Sequence, residues 1–244
     1  MYRCHIDTER LLSDFILLNR EESRHLKTVL RVQPEAVIQL FDGEGHTRGA
    51  VIETVEKNSI SIAPSEEALL HSKPKCALTL FVCISKGKRM DWTVEKATEL
   101  GAKTVIPVIS EHTIVRLSPS ERLSKAERWR RVAADALRQC GGAWMPKVHT
   151  PLDLTEALNL ITDCEPVFTA ALTEDAVPLR DALREQKTVP TSAGWFVGPE
   201  GDFSKEEMKL LREAGTTFVN LGANVLRAET ASIYGLSVLG CAWL

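Results

Sequence analysis

The sequence predicts an α/β protein with a mainly parallel sheet, preceded by a small β-rich domain. Three observations carry this. The run ALTLFVCIS, beginning at Ala77, is apolar at nearly every position, as expected of a strand buried on both faces. From there to Leu244, strand-like apolar runs alternate with helical patterns. Before it, short β-prone runs are separated by turn signals.

In chain order, residues 25–31 (HLKTVLR) read as a short helical turn that makes Arg24, Lys27 and Arg31 available to phosphate, with His25 either a structural histidine or a ligand contact. Residues 36–41 form an apolar strand ending in the Asp42-Gly43 turn, residues 48–55 resume as a strand, and Asn58-Ser59 reverse the chain into the alternating Ile60-Ser61-Ile62. A compact barrel follows from this pattern. Residues 63–75, with Pro64, Pro74 and two adjacent glutamates, read as the linker, which divides the chain into domains 1–72 and 73–244.

In the second domain, residues 90–100 form a helix closed by Gly101, residues 104–109 a strand, and residues 121–140 a long helix. On that helix Leu123, Ala126, Ala133, Leu137 and Cys140 share one face, and Lys125, Arg128, Arg131 and Arg138 fall largely outside it. Strands follow at 167–172 and 195–197, with helical stretches at 154–160 and 179–184. The stretch 194–226 is the most informative. Apolar Trp195, Phe196 and Val197 run into Gly198-Pro199-Glu200-Gly201, and Ser204 with Glu207 three residues on is the reciprocal capping pattern of a helix start. Gly215 stops that helix, residues 217–221 are β-prone, and Gly222 opens a second loop before a last helix at 229–243. In an open parallel sheet, ligands sit outside the carboxyl ends of the strands, so the two glycine-bearing loops line one pocket. The last helix is almost uniformly apolar, and a helix apolar all round is expected to be buried on all sides.

Composition excludes several classes. No apolar run approaches the roughly 20 residues of a membrane helix and the first ten residues lack a signal-peptide core, so a cytoplasmic protein is expected. The six cysteines include no Cys-x-x-Cys pair and the six histidines form no metal-spaced cluster, which favours reduced core cysteines and gives a metal-dependent mechanism no support. Net charge is only −3, but it is unevenly spread: residues 73–147 hold 15 Lys and Arg against 7 Asp and Glu, or +8, between two acidic segments. Such a segment localises attraction for a polyanion.

GPEGDFS at 198–204 followed by LGANVLRAETA at 221–231 resembles the knotted SPOUT class of S-adenosylmethionine-dependent RNA methyltransferases. Within it, these residues are similar to the bacterial family that methylates N3 of a uridine in small-subunit (16S) ribosomal RNA. The likeness extends to HLKTVLRV, LFDGEG and KGKRMDWTVEKATELGAKTVIPVISE, and so spans most of the chain. It implies a C-terminal SPOUT-type α/β knot domain, a PUA-like N-terminal β-barrel that helps to hold RNA, and a homodimer built on the last helix. S-adenosylmethionine is the implied cofactor. Small-subunit ribosomal RNA, in an assembled or nearly assembled subunit, is the implied partner. Lys86, Lys88, Arg89 and Lys96 then belong to the RNA-facing side, with Gln139 near the target. Two departures stand out: His112 where the family has arginine, and Arg138-Gln139-Cys140-Gly141-Gly142 where it has Glu-Gln-x-Gly-Arg.

Uracil N3 is a poor nucleophile until its proton leaves, so a methylating site must align the reactants, stabilise the developing anion and accept a proton. Arg227 suits the developing negative charge or the target phosphate, and Glu229 and Glu200 are the carboxylates at hand, although either also fits a structural role in its loop. The cofactor pocket is expected from Leu172, Phe196, Val197, Gly198, Glu200, Gly201, Leu221, Gly222, Val225 and Leu226, with Val225 and Leu226 covering the adenine. Three other readings compete. A knotted enzyme acting on a ribose 2′-hydroxyl or on transfer RNA shares this pocket logic, and a non-catalytic RNA-binding assembly factor would keep the basic segment without binding the cofactor. A phosphate-binding NTPase fits least, because GPEGD lacks the Gly-Lys-Ser/Thr ending of a P-loop.

Overall fold

The computed structural model describes residues 2–28 and 31–244 and divides into two units, Met1–Lys73 with Leu137–Met145, and Pro74–Ala136 with Pro146–Leu244. Val29 and Leu30 of the predicted helical turn lie outside the described residues, and the side chain of His25 is not described.

The first unit contains β1 (Tyr2–His5), α1 (Thr8–Leu11), β2 (Ile16–Leu18), α2 (Arg20–Thr28), β3 (Val37–Phe41), β4 (His46–Val55), β5 (Ile60–Pro64) and β6 (Leu69–Leu70). Its sheet runs β1-β3-β4-β5-β2, with β6 added to β4, and curls as a half-barrel around Leu11, Ile16, Leu18, Ile38, Leu40, Ile52, Ile60 and Ile62. Two expectations need correction. The helix at α2 begins five residues earlier than the apolar pattern suggested. The stretch read as a linker is partly strand: Leu69 and Leu70 pair with Thr47 and His46, satisfying backbone groups at the start of β4.

The second unit contains β7 (Ala77–Cys83), α3 (Arg89–Glu99), β8 (Thr104–Ile109), α4 (Pro119–Cys140, whose last turn belongs to the first unit), β9 (Lys147–Val148), β10 (Leu152–Asp153) and α5 (Leu154–Leu158). It continues with β11 (Val167–Ala170), β12 (Val177–Pro178), α6 (Leu179–Arg184), β13 (Ser192–Val197), α7 (Lys205–Glu213), β14 (Thr217–Asn220) and α8 (Ala228–Trp243). The sheet order is β10-β8-β7-β13-β11-β14-β12, with β9 added to β8, and every pairing is parallel. The continuous apolar runs have a simple cause. Along β7 and β13, Leu78, Leu80, Val82, Trp195 and Val197 enter a core shared with α3 and α8, while the alternate residues Phe81, Cys83 and Phe196 enter a second core on the opposite face.

The helices follow their local signals. Ser204 accepts from the Glu207 N–H and the Glu207 carboxylate accepts from the Ser204 N–H, closing the predicted capping box at α7. On α4 the buried face is Ala126, Trp129, Ala133, Ala136 and Leu137, whereas Leu123 and Cys140, placed on it by spacing alone, are exposed. On α8 one face is buried and the other is open: Thr230, Tyr234, Ser237 and Cys241 form an exposed stripe, so this helix is not covered on all sides within its own unit. All six cysteines are free, and Cys4, Cys76, Cys83 and Cys164 are buried. Among the described residues no helix is long and apolar enough to cross a membrane, and no group of three or more His, Cys, Asp or Glu is placed to hold a metal ion.

Candidate functional site

Strands β13, β11 and β14 lie side by side, and the loops that leave their carboxyl ends enclose an open cavity of about 260 Å³. Residues 170–172 supply one wall, residues 197–200 and 202 a second, and residues 221–222 and 224–228 a third, with Ala231 of α8 behind them. The two glycine-bearing loops thus meet, but across an intervening strand: β11 separates β13 from β14, which is why Ala170, Ala171 and Leu172 complete the wall. Gly222 has φ +121°, a conformation that side-chain-bearing residues rarely adopt, and this lets the backbone turn beneath the cavity.

Leu172, Val197, Gly198, Glu200, Leu221, Gly222, Val225, Leu226 and Arg227 all line this cavity. Val225 is 75% exposed and Leu172 64% exposed, so two large apolar side chains at its edge have nothing covering them. Two expected members are elsewhere. Phe196 points to the other face of the sheet, because side chains alternate along a strand, and stacks on Phe81 with ring centroids 4.5 Å apart. Gly201 sits against the His112 ring instead of lining the cavity. Asn224, Asp202 and Pro199 also line the cavity. All three lie inside the motif loops, and nothing in their residue type marked them.

Arg227 is the N-cap residue of α8 and is exposed. Glu229, two residues on, is not part of the cavity lining. Its side chain is 13% exposed, and its Oε2 is buried without a hydrogen-bond partner. The N-cap makes no side-chain hydrogen bond to the helix start. Glu200 and Glu229 both face Arg89, whose Nη1 donates to Glu200 Oε1 at 2.9 Å and whose Nε lies 3.8 Å from Glu229 Oε1. His112 is also drawn to this region: its Nδ1 donates to the carbonyl oxygens of Asp202 at 2.8 Å and Gly201 at 3.1 Å.

The expected RNA-facing cations divide. Lys86 and Lys88 are exposed in the turn before α3. Arg89 is engaged as described, and Lys96 lies 2.8 Å from both Glu95 and Glu99, whose hydrogen bonds push its ammonium pKa up. In the first unit Arg24 and Arg31 are exposed, Lys27 donates to the Glu56 carbonyl, and Gln139 is exposed near the end of α4.

A family model described as an RNA methyltransferase domain matches residues 71–240, and one described as an RNA methyltransferase PUA domain matches residues 18–65. The chain belongs to this RNA methyltransferase family. Among its relatives, the ribosomal RNA small subunit methyltransferase E of Aquifex aeolicus is 30% identical over 95% of this chain and 96% of its own length. The protein of the same name from Synechocystis is 27% identical over 97% of this chain and 76% of its own. A solved structure of ribosomal RNA small subunit methyltransferase E from Neisseria gonorrhoeae, bound to S-adenosyl methionine, superposes with a TM-score of 0.89 at 30% identity, covering 100% of this chain and 98% of that one. A Legionella pneumophila methyltransferase in complex with bound SAM gives 0.88 at 28% identity, covering 98% of this chain and 97% of the other. The fold class is therefore that of this methyltransferase family, with a SPOUT-type α/β domain and a PUA-type N-terminal domain.

Proposed function

We propose that this protein transfers the methyl group of S-adenosylmethionine to N3 of a uridine in small-subunit ribosomal RNA, acting as a homodimer in the cytoplasm on an assembled or nearly assembled subunit. The observation that carries the reading is the cavity at the ends of β11, β13 and β14, with an exposed arginine at its edge.

The cavity fits the cofactor. Its lining is mostly backbone and small or apolar side chains, and the uncovered Leu172 and Val225 offer the surface an adenine ring needs. Glu200 and Asp202 bring negative charge to the same wall, which suits a cationic ligand. When bound, S-adenosylmethionine supplies an activated methyl group. The rest falls to the chain's own residues. The loops hold the methyl donor in line with the base and exclude water, and Arg227 stabilises charge as it develops on the uracil or holds the target phosphate. Glu229 does not line the cavity, so its part is to relay the N3 proton rather than to contact the base. The exposed stripe of α8 supports the dimer, because it leaves one face of an apolar helix for a second copy.

Liquid chromatography with mass spectrometry of ribosomal RNA nucleosides, from subunits incubated with and without the protein, tests the reaction. Gain of N3-methyluridine alone is expected, and a 2′-O-methylated product would replace this reading. Charge stabilisation acts mainly in the transition state, so Arg227→Ala is expected to lower single-turnover rate by about 100-fold or more with little change in S-adenosylmethionine affinity. An Arg227→Ala protein at full rate would remove Arg227 from the chemistry. Glu229→Gln keeps the shape and removes the basicity, and a slower rate with unchanged stability separates proton transfer from a helix-start role.

A further inference from the structure

One side chain spans two walls of the site from a third element. Arg89 opens α3, Glu200 belongs to the turn after β13, and Glu229 stands at the start of α8. The two carboxylates lie 29 positions apart in sequence (229 − 200), yet they face the same guanidinium. Its planar fork presents separate donors in fixed directions, which a lysine ammonium cannot reproduce. The arrangement also differs in kind from Lys86 and Lys88, which are exposed in the turn before it. Both groups facing Arg89 are protein carboxylates, and one of them, Glu229, is largely buried with an oxygen that has no hydrogen bond. A buried carboxylate left without a nearby cation is costly, so this ion pair, 3.8 Å long with Arg89 half-exposed, favours the present position of the α8 start. Glu200 in turn lines the cavity next to Gly198 and Pro199. Removing the cation would leave both carboxylates without this counter-charge.

We propose that Arg89 is a positioning residue for the cofactor pocket: it ties the Glu200 wall to the helix start that carries Arg227 and Glu229, and it is not an RNA-contacting cation. The proposal rests on the reading of this cavity as the S-adenosylmethionine site. It predicts that the loss of Arg89 is felt as weaker cofactor binding, with a raised KM for S-adenosylmethionine and a smaller effect on the rate at saturation. RNA affinity should hold.

The test uses the full chain as wild type, Arg89→Ala, Arg89→Lys, Glu200→Gln and the Arg89→Ala/Glu200→Gln double variant. Calorimetry with S-adenosylmethionine in the absence of RNA is expected to show about tenfold weaker binding for Arg89→Ala, partial recovery in Arg89→Lys, and a double variant no weaker than the weaker single, as for coupled residues. Ribosomal RNA affinity should stay within about twofold of wild type. Unchanged cofactor affinity with weakened RNA binding in Arg89→Ala would overturn the proposal and return Arg89 to the RNA-facing set. If Arg89→Ala does not fold, Arg89→Lys carries the same comparison. Should the wild type bind no S-adenosylmethionine, the functional reading fails, and a ligand-free thermal-melt cycle of the same variants still decides the tie: coupled losses support it, and additive ones refute it.

Discussion

Four hydrogen bonds converge on Asp42, a side chain that solvent does not reach. The Thr8 hydroxyl and the His46 ring bond one carboxylate oxygen at 2.8 and 2.7 Å, and the N–H groups of Glu44 and His46 bond the other at 2.7 and 2.9 Å. Burial works against its ionisation, but these bonds outweigh it and hold the pKa below the ordinary carboxylate value. Its stabilising contribution is therefore full above the unfolded-state pKa and is lost as pH falls through the lower folded one. Asp42→Asn is expected to cost about 2–4 kcal/mol in urea unfolding at pH 7, with the gap narrowing towards about pH 3. His112 has the opposite sign. The Asp202 carbonyl raises its pKa most; partial desolvation opposes this, and the Gly201 carbonyl and the Glu111 and Glu207 charges add to the rise. That contribution is full below the unfolded-state pKa and fades as pH rises through the raised folded value. The stability advantage of wild type over His112→Gln, read by urea unfolding, should thus shrink as pH rises from about 6.5. Sequence likeness marked His112 only as a departure on the RNA-facing side. Its contact with the loop at 198–202 was not legible, because it joins residues 90 positions apart.

Elements were legible where a local signal defines them. The capping box at Ser204 and the strand at residues 104–109 needed no tertiary information, whereas the strand at Leu69–Leu70 owes its existence to an open edge on β4 and carries no pattern of its own. The pocket-lining loops were readable from their glycines, but the β11 wall between them depended on sheet order, which sequence periodicity does not encode. Helix α8 shows the same limit. Its apolar composition suggested burial on all sides, and the structure gives one of its glycines a specific reason to be small. A Cβ added at Gly235 would lie 2.0 Å from the Trp195 ring, whose Nε1 donates to the Ala231 carbonyl at 3.2 Å. Alanine gains about 1 kcal/mol in helix propensity over glycine, but overpacking against a buried indole costs about 1–3 kcal/mol or more, and a 2.0 Å approach lies at the severe end. Gly235→Ala should therefore lower the thermal midpoint by several degrees, about 2–4 °C per kcal/mol lost, and increase Trp195 fluorescence mobility. A stabilised variant would mean that α8 can slide on β13.

Across the whole molecule, the +8 segment read from the sequence overstates the charge available to a polyanion. Arg89 faces Glu200 and Glu229, and Arg122 pairs with Asp153, three carboxylates that lie outside residues 73–147, so part of that net positive charge is already answered within the unit. Pairing of this kind is invisible to a charge count. Lys86 and Lys88 remain exposed, and the Lys86→Glu/Lys88→Glu double variant is expected to weaken ribosomal RNA binding at low salt. It should also reduce the slope of log affinity against log salt by about 1–2, without altering cofactor affinity. An unchanged slope in filter-binding titrations would place the RNA elsewhere. The sheet order has a further consequence, one of timing. Strand β7 pairs with β8 almost at once, but its other neighbour is β13, with Ala77 opposite Ser192, 115 positions later. At roughly 5–20 residues per second of synthesis, the emerging chain carries one unpaired edge of a strand apolar on both faces for roughly 6–23 seconds. For that interval β7 is a natural client for a chaperone or a misplaced neighbour, and the cofactor cavity, which needs β13, β11 and β14 together, cannot exist until the final fifth of the chain has left the ribosome.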